Sequence, residues 1–248
     1  MWTPTALASE ARPLAGDAWR VVEHQYTVST RKLVDTKDEQ FILEDILETS
    51  KPPVPKEAAA LHFLMSTPFR YGSPYPVGSR FRRAGITEGV FYGSEEIRTA
   101  LAEQCYYRLR FFGESPDTVL PRQEIRLTVF SVAYRTEKAI DLSKPKLVRD
   151  RKQWTHPADY SATQTLAENS REANINVIRY ESVRDSENGY NLALLSAKTF
   201  RGKKPKKEQT WFLYMSETEF NCERANASKP EEFITFRHNH LQIIYINS

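Results

Sequence analysis

The sequence predicts an α+β fold: one domain on a mixed or antiparallel sheet, with a helical N-terminal lead-in. Two observations carry this reading. Apolar residues near the start recur at helical spacing. Most of the second half instead alternates apolar and polar residues in short runs, the period of half-buried strands. No internal repeat divides the 248 residues.

The elements follow in chain order. Residues 1–17 are small, polar and proline-bearing, and are expected to extend over the surface. Lys37 to Thr49 places Phe41, Ile42, Ile46 and Leu47 at helical spacing among acidic residues. The run Lys51-Pro52-Pro53-Val54-Pro55 then ends that helix. Glu57 to Met65 reads as a second short helix. Residues 1–65 are therefore assigned to a helical extension and 66–248 to a catalytic domain. Gly89-Val90-Phe91-Tyr92 reads as a strand. Ser94 is the expected N-cap of the next helix, with Glu95 and Glu96 in its first turn. That helix runs to about Phe111, with Ile97, Leu101, Cys105 and Leu109 facing the core and Ala100, Glu103 and Tyr107 on another face. Later strands are expected around Ile125–Phe130, Asn174–Tyr180, Asn191–Leu195, Gln209–Met215, Phe233–Phe236 and Leu241–Ile246. The basic run Arg201 to Lys207 reads as a solvated hairpin tip between two of them.

Composition narrows the function classes. With 40% apolar and 27% charged residues, the chain is of globular rather than disordered type. A net charge of +3 is too small for a dedicated nucleic-acid binder. Cys105 and Cys222 are the two cysteines, too few for a disulfide scaffold, so a reduced intracellular setting is expected. The N-terminus lacks a signal-peptide pattern, and no apolar run is long enough to span a bilayer. A cytoplasmic location, with no membrane partner, is the expectation.

The strong local motifs of catalysis are missing: no phosphate loop, no G-x-G-x-x-G after a strand, no HExxH, no paired CxxC and no G-x-S-x-G. His238 and His240 form an H-x-H pair, read as a surface pair because no carboxylate or cysteine cluster joins it. Arg82 reads as an ordinary surface charge. An enzyme reading rests instead on a spread set. It comprises Phe69-Arg70-Tyr71, Gly78-Ser79-Arg80-Phe81, Gly89-Val90-Phe91-Tyr92-Gly93 and Thr99-Ala100-Leu101-Ala102-Glu103. Further on come Gln164, Glu181-Ser182-Val183 and Asn191-Leu192.

This order and spacing resemble the RES family, over residues 65 to 200 or so. In that family a Gly-Gly-Arg-Trp turn precedes a strand ending in Tyr, then a helix with Ala-Leu-x-Glu, and later a Pro-Ser-Ala segment. Here the turn is Gly-Ser-Arg-Phe and the late segment Glu-Ser-Val. The resemblance implies a fold similar to the ADP-ribosyltransferase toxins. It also implies a toxin of a toxin–antitoxin pair that degrades NAD by hydrolysis or phosphorolysis. The alternatives are transfer of ADP-ribose to a protein and a non-catalytic NAD-binding module. The implied partners are NAD, phosphate as a candidate acceptor, and an Xre-type antitoxin, through which alone nucleic acid would be met. Arg80, Tyr92 and Glu103 are the implied catalytic residues, and Arg70, Tyr71, Ser182 and Asn191 the implied cofactor-binding ones.

The residue types suit that chemistry. Breaking the nicotinamide–ribose bond develops positive charge on the ribose while the nicotinamide leaves neutral, so neither a strong general acid nor a metal is required. Arginine can grip the pyrophosphate with its fork. Tyrosine can stack on the nicotinamide. A carboxylate can stabilise the cation and orient an acceptor.

Overall fold

The computed structural model describes residues 2–24, 30, 33–72, 76–85, 87–114, 118–238 and 243–246. Helix α1 (Pro4–Glu10) leads directly into strand β1 (Arg12–Glu23). Helices α2 (Lys37–Ser50) and α3 (Phe63–Arg70) follow, then β2 (Phe91–Ser94) and α4 (Ile97–Gly113). The long β3 (Ile125–Asp141) precedes α5 (Arg151–Trp154) and α6 (Ser161–Glu172). The chain ends in β4 (Val177–Glu181), β5 (Tyr190–Leu194), β6 (Lys207–Met215), β7 (Glu219–Arg224), β8 (Phe233–His238) and β9 (Ile243–Ile246).

The strands form one sheet in the order β1-β2-β5-β4-β3-β6-β7-β8-β9, and β1 also pairs with β3. The pairings β1–β2, β2–β5, β5–β4, β4–β3 and β3–β1 therefore close on themselves. β6 to β9 continue from β3 as an antiparallel meander. β3–β4 is the parallel pair and the other strand pairs are antiparallel, so the sheet is mixed, as expected. Its parallel connection is made through α5 and α6, as parallel pairing requires a crossover.

Several local expectations change. The lead-in is not wholly helical. Arg12–Glu23 is a strand whose register with β3 runs from Leu14↔Thr136 to Glu23↔Leu127. Pairing along β3 orders a segment that, read locally, extends over the surface. The helix expected over Glu57–Met65 is split into a 3-10 turn at Lys56–Ala58 and α3. His62 N–H donates to the Lys203 carbonyl (2.7 Å), which takes that residue out of a continuous helix. Ser94 is not an N-cap. It ends β2 opposite Asn191, and the α4 N-cap is Glu96. Glu95 and Glu96 accordingly precede the helix. Residues 201–207 are no hairpin tip, because β5 and β6 are not neighbours. The segment runs beside β3, with Arg201 N–H on Ala133 O and Lys206 N–H on Ser131 O (2.8 and 2.7 Å).

Three apolar clusters hold these elements together. α1, α5 and α6 pack on Ile140, Ile178 and Ala193 through Leu7, Trp154 and Leu166. α3 packs Met65 and Phe69 against Phe91, Phe130 and Leu192. α4 sets Leu101, Cys105 and Leu109 on Leu127, Val129, Trp211 and Phe220. The predicted α4 stripe is thus its core face, and burying a leucine such as Leu101 contributes about 1.5–3 kcal/mol. Cys105 and Cys222 stand in this cluster as free thiols with sulfurs 3.9 Å apart, and burial pushes the Cys105 thiol up. Among the described residues, no helix is long and apolar enough to cross a membrane.

Candidate active site

Strand pairing assembles the site. Tyr92 lies opposite Ala193, Ser94 opposite Asn191, and Asn191 opposite Tyr180. Cross-strand partners share a face, and alternate residues of one strand share it too. Tyr92, Ser94, Asn191 and Tyr180 therefore stand on one side, and Phe91, Leu192 and Leu194 go to the core behind them. On that side lies a cavity of about 590 Å³, lined by these four residues, by Glu103, Tyr107 and Phe111 of α4, and by Arg20, Arg80 and Arg82.

Glu103 is held by one oxygen. Ser182 Oγ donates to its Oε1 (2.7 Å), and Asn191 Nδ2 donates to the same atom (2.6 Å). Each donor is itself oriented. Ser182 Oγ accepts the N–H groups of Arg184 and Asp185 (both 3.1 Å). Asn191 Oδ1 accepts from Ser94 Oγ (2.6 Å). Ser94, Ser182 and Asn191 are each 3% exposed, so this chain of bonds is shielded from water. It leaves the second carboxylate oxygen as the one available to a ligand. Gly189 keeps the β4–β5 loop closed, since a Cβ there would overlap the Thr99 hydroxyl and the Asp185 carboxylate.

Tyr92 and the turn before it form a second unit. The Tyr92 hydroxyl accepts from Phe81 N–H (3.0 Å) and hydrogen-bonds Ser79 Oγ (2.9 Å). Burial pushes its phenol up against the pull of these bonds and of Arg80 and Arg82. Gln164 Nε2 donates to the carbonyls of Val77, Ser79 and Arg82 (2.8, 3.1 and 3.3 Å). Gly78 enters this turn at φ +70°, with no room for a Cβ beside the Arg82 carbonyl. The turn is therefore pinned from below by a tyrosine and from the side by a glutamine.

The arginines divide differently from the sequence reading. Arg80 is 8% exposed and spends two donors on the carbonyls of Trp154 (2.6 Å) and His156 (3.1 Å). Its guanidinium lies 4.9 Å from the Tyr160 ring centre. It lines the cavity, and it clamps the α5–α6 loop. Arg82 is no surface charge: it bonds Tyr71 O (2.6 Å) and Thr87 Oγ1 (3.0 Å), and burial lowers its pKa. Arg70 and Tyr71 do not reach the cavity. Arg70 donates to Pro52 O (2.6 Å) and pairs with Glu48 (2.8 Å), while Tyr71 is exposed with its carbonyl on Arg82. The α2 carboxylate and the Pro52 carbonyl hold Arg70 away from the cavity lining. His238 is likewise no surface residue. It is 7% exposed, with Nε2 3.2 Å from Ser216 O, and His240 lies outside the described residues.

Arg20 is the residue that the sequence reading missed. It comes from β1, lines the cavity and donates through Nη1 to Tyr92 O (2.7 Å). Its Nε is buried with no hydrogen-bond partner among the described residues. Desolvation pulls its pKa down to about 10, which still leaves it charged at neutral pH. The residue as a whole is half-buried, but a donor shut off from water and left unused is costly unless an acceptor such as an anion completes it. The signal was Trp19-Arg20-Val21-Val22, one charge inside an aromatic and β-branched run.

The RES domain family model matches residues 54–215. The chain belongs to the RES domain family. The matched segment takes in the Gly78–Arg82 turn, β2, α4, β4 and β5, and with them Glu103 and its two donors. It begins after β1, so Arg20 reaches the cavity from outside the matched segment. Among solved structures, a chain of the crystal structure of the M. tuberculosis MbcT–MbcA toxin–antitoxin complex is similar over 82% of this chain and 90% of that one. The identity is 7% and the TM-score 0.48. No curated protein matches this RES domain chain.

Proposed function

We propose that the protein is the toxin of a toxin–antitoxin pair and cleaves the nicotinamide–ribose bond of NAD. The observation that carries this reading is the Glu103 carboxylate, held at Oε1 by Ser182 and Asn191 and placed in a cavity beside Arg20 and Tyr92. In this reading the other Glu103 oxygen faces the ribose, accepts from its hydroxyls and stabilises the charge that develops as the bond breaks. The Tyr92 ring stacks on the nicotinamide. Arg20 completes its unused donor on the pyrophosphate. The electron pair of the breaking bond leaves with the nicotinamide, which departs neutral. Water or phosphate then attacks the ribose, giving ADP-ribose or its phosphate. The RES family supplies the further expectation of an Xre-type antitoxin that covers this cavity and of action in the cytoplasm.

The test mixes the purified protein with NAD, with and without phosphate, and follows nicotinamide release. Release by the parent and its loss in Glu103→Gln support the reading. Intact NAD in both buffers, from a protein shown to be folded and free of partner, overturns it. Labelled NAD with a cell lysate separates degradation from transfer: free ADP-ribose marks the first, and a labelled protein band the second.

A further inference from the structure

The cavity does not stop at Glu103. Tyr107 and Phe111 succeed it along α4 at helical spacing, Glu114 follows as the C-cap, and all three line the same cavity. At the rise of an α-helix, Tyr107 lies about 6 Å and Phe111 about 12 Å further along the axis. Both rings are half-open, Tyr107 at 49% and Phe111 at 54% exposure. Each is braced edge-on by its neighbour, Tyr106 at 5.8 Å and Phe112 at 5.3 Å between centres. Arg110 stands between them, 2.6 Å from Glu114.

Arg20 links this wall to the scissile end. It bonds the Tyr92 carbonyl through Nη1 and lines one cavity with Tyr92 and Tyr107. An anion completing Arg20 would therefore share the cavity with both aromatic sites. That layout matches a ligand with two ring-bearing halves joined through phosphate.

We propose that Tyr107 and Phe111, with Arg110, form a stacking subsite for the second nucleobase of a dinucleotide. The protein would thus select a dinucleotide over a mononucleotide carrying the same scissile bond. The inference rests on the NAD-cleaving reading of Glu103, yet it makes a separate claim about what α4 binds. Single rings exposed on a helix need no explanation. Two of them on one cavity wall, in line with the Glu103 carboxylate and sharing that cavity with Arg20, are a built surface. Base–aromatic stacking tolerates any base, so the subsite recognises a nucleobase as a class.

The experiment compares the parent with a Tyr107→Ala/Phe111→Ala variant on NAD and on nicotinamide mononucleotide, which lacks the second nucleoside. The expected result is a fall of about tenfold or more in the NAD-to-mononucleotide ratio of kcat/KM, mainly through KM for NAD. Equal losses on both substrates, or no loss on NAD, overturn the subsite. ADP binding by calorimetry decides the matter independently of turnover. If the parent cleaves neither substrate, the NAD reading fails. ADP binding that weakens about tenfold in the variant still supports the subsite, and unchanged or undetectable binding sinks it. Circular dichroism shows whether the variant keeps its fold, as its two exposed positions lead one to expect.

Discussion

α2 and α4 write the same signal into the sequence and end in opposite surroundings. Both place apolar residues at helical spacing among charged ones. In α4, Leu101 and Cys105 are fully buried and Leu109 nearly so. In α2 no residue is buried, and Phe41, Ile42 and Ile46 stand 69%, 61% and 58% exposed. α4 is fixed because β2 delivers it onto β1, β3 and β6, whose apolar faces need cover. Among the described residues, the ties on α2 are polar: Thr30 to Glu44 (2.8 Å), Arg70 to Glu48 (2.8 Å), and a capping box of Thr36 and Glu39. Periodicity announces a helix and its apolar side. It does not say what will lie against that side.

Substitutions on the two helices can break this contrast. Leu101→Ala, on the core face of α4, should cost about 2–5 kcal/mol in urea unfolding, since it opens a cavity in a packed cluster. A cost below about 1 kcal/mol would mean that the α4 face is as loosely covered as that of α2. On the site face of the same helix, Glu103→Gln should lower nicotinamide release about a hundredfold, equivalent to ~2.7 kcal/mol, with the melting temperature little changed. A folded variant of parental activity would remove Glu103 from the site. Tyr92→Phe should lose about 1–2 kcal/mol of stability, because Phe81 N–H is left without its acceptor. The same unfolding assay reads it, and a neutral result would show that the turn is held by Gln164 alone. Phe41→Ala on α2 should stay within about 0.5 kcal/mol, as expected for an exposed position. A larger loss would reveal cover for that helix in solution.

Much of the site was legible because its parts are local. The Gly78–Arg82 turn, the β2 strand and the α4 helix lie within a short span, and each has its own signal: a glycine, an alternation, a stripe. Ser182 and Asn191 were singled out with Glu103 through family order, and the fold joins all three by hydrogen bonds. What failed were inferences across distance. Ser94 looks like a cap to its neighbours, but its hydroxyl is taken by Asn191, far away in sequence. Residues 201–207 look like a hairpin because two strands flank them, yet the sheet inserts β4 and β3 between those strands.

The two arginines that changed places state the division most clearly. By itself the sequence determined the α+β class, the turn–strand–helix unit and a carboxylate on α4 away from its apolar stripe. These follow from residues a few positions apart, where steric and hydrogen-bonding preferences act directly. Only the tertiary structure decided that Arg20 enters the cavity and Arg70 leaves it. Arg20 is carried in by the pairing of β1 with β3, and Arg70 is drawn off by Glu48 and the Pro52 carbonyl. An arginine's long side chain takes the anion or carbonyl that the fold brings near it, and which one that is depends on sheet closure rather than on its neighbours in the chain.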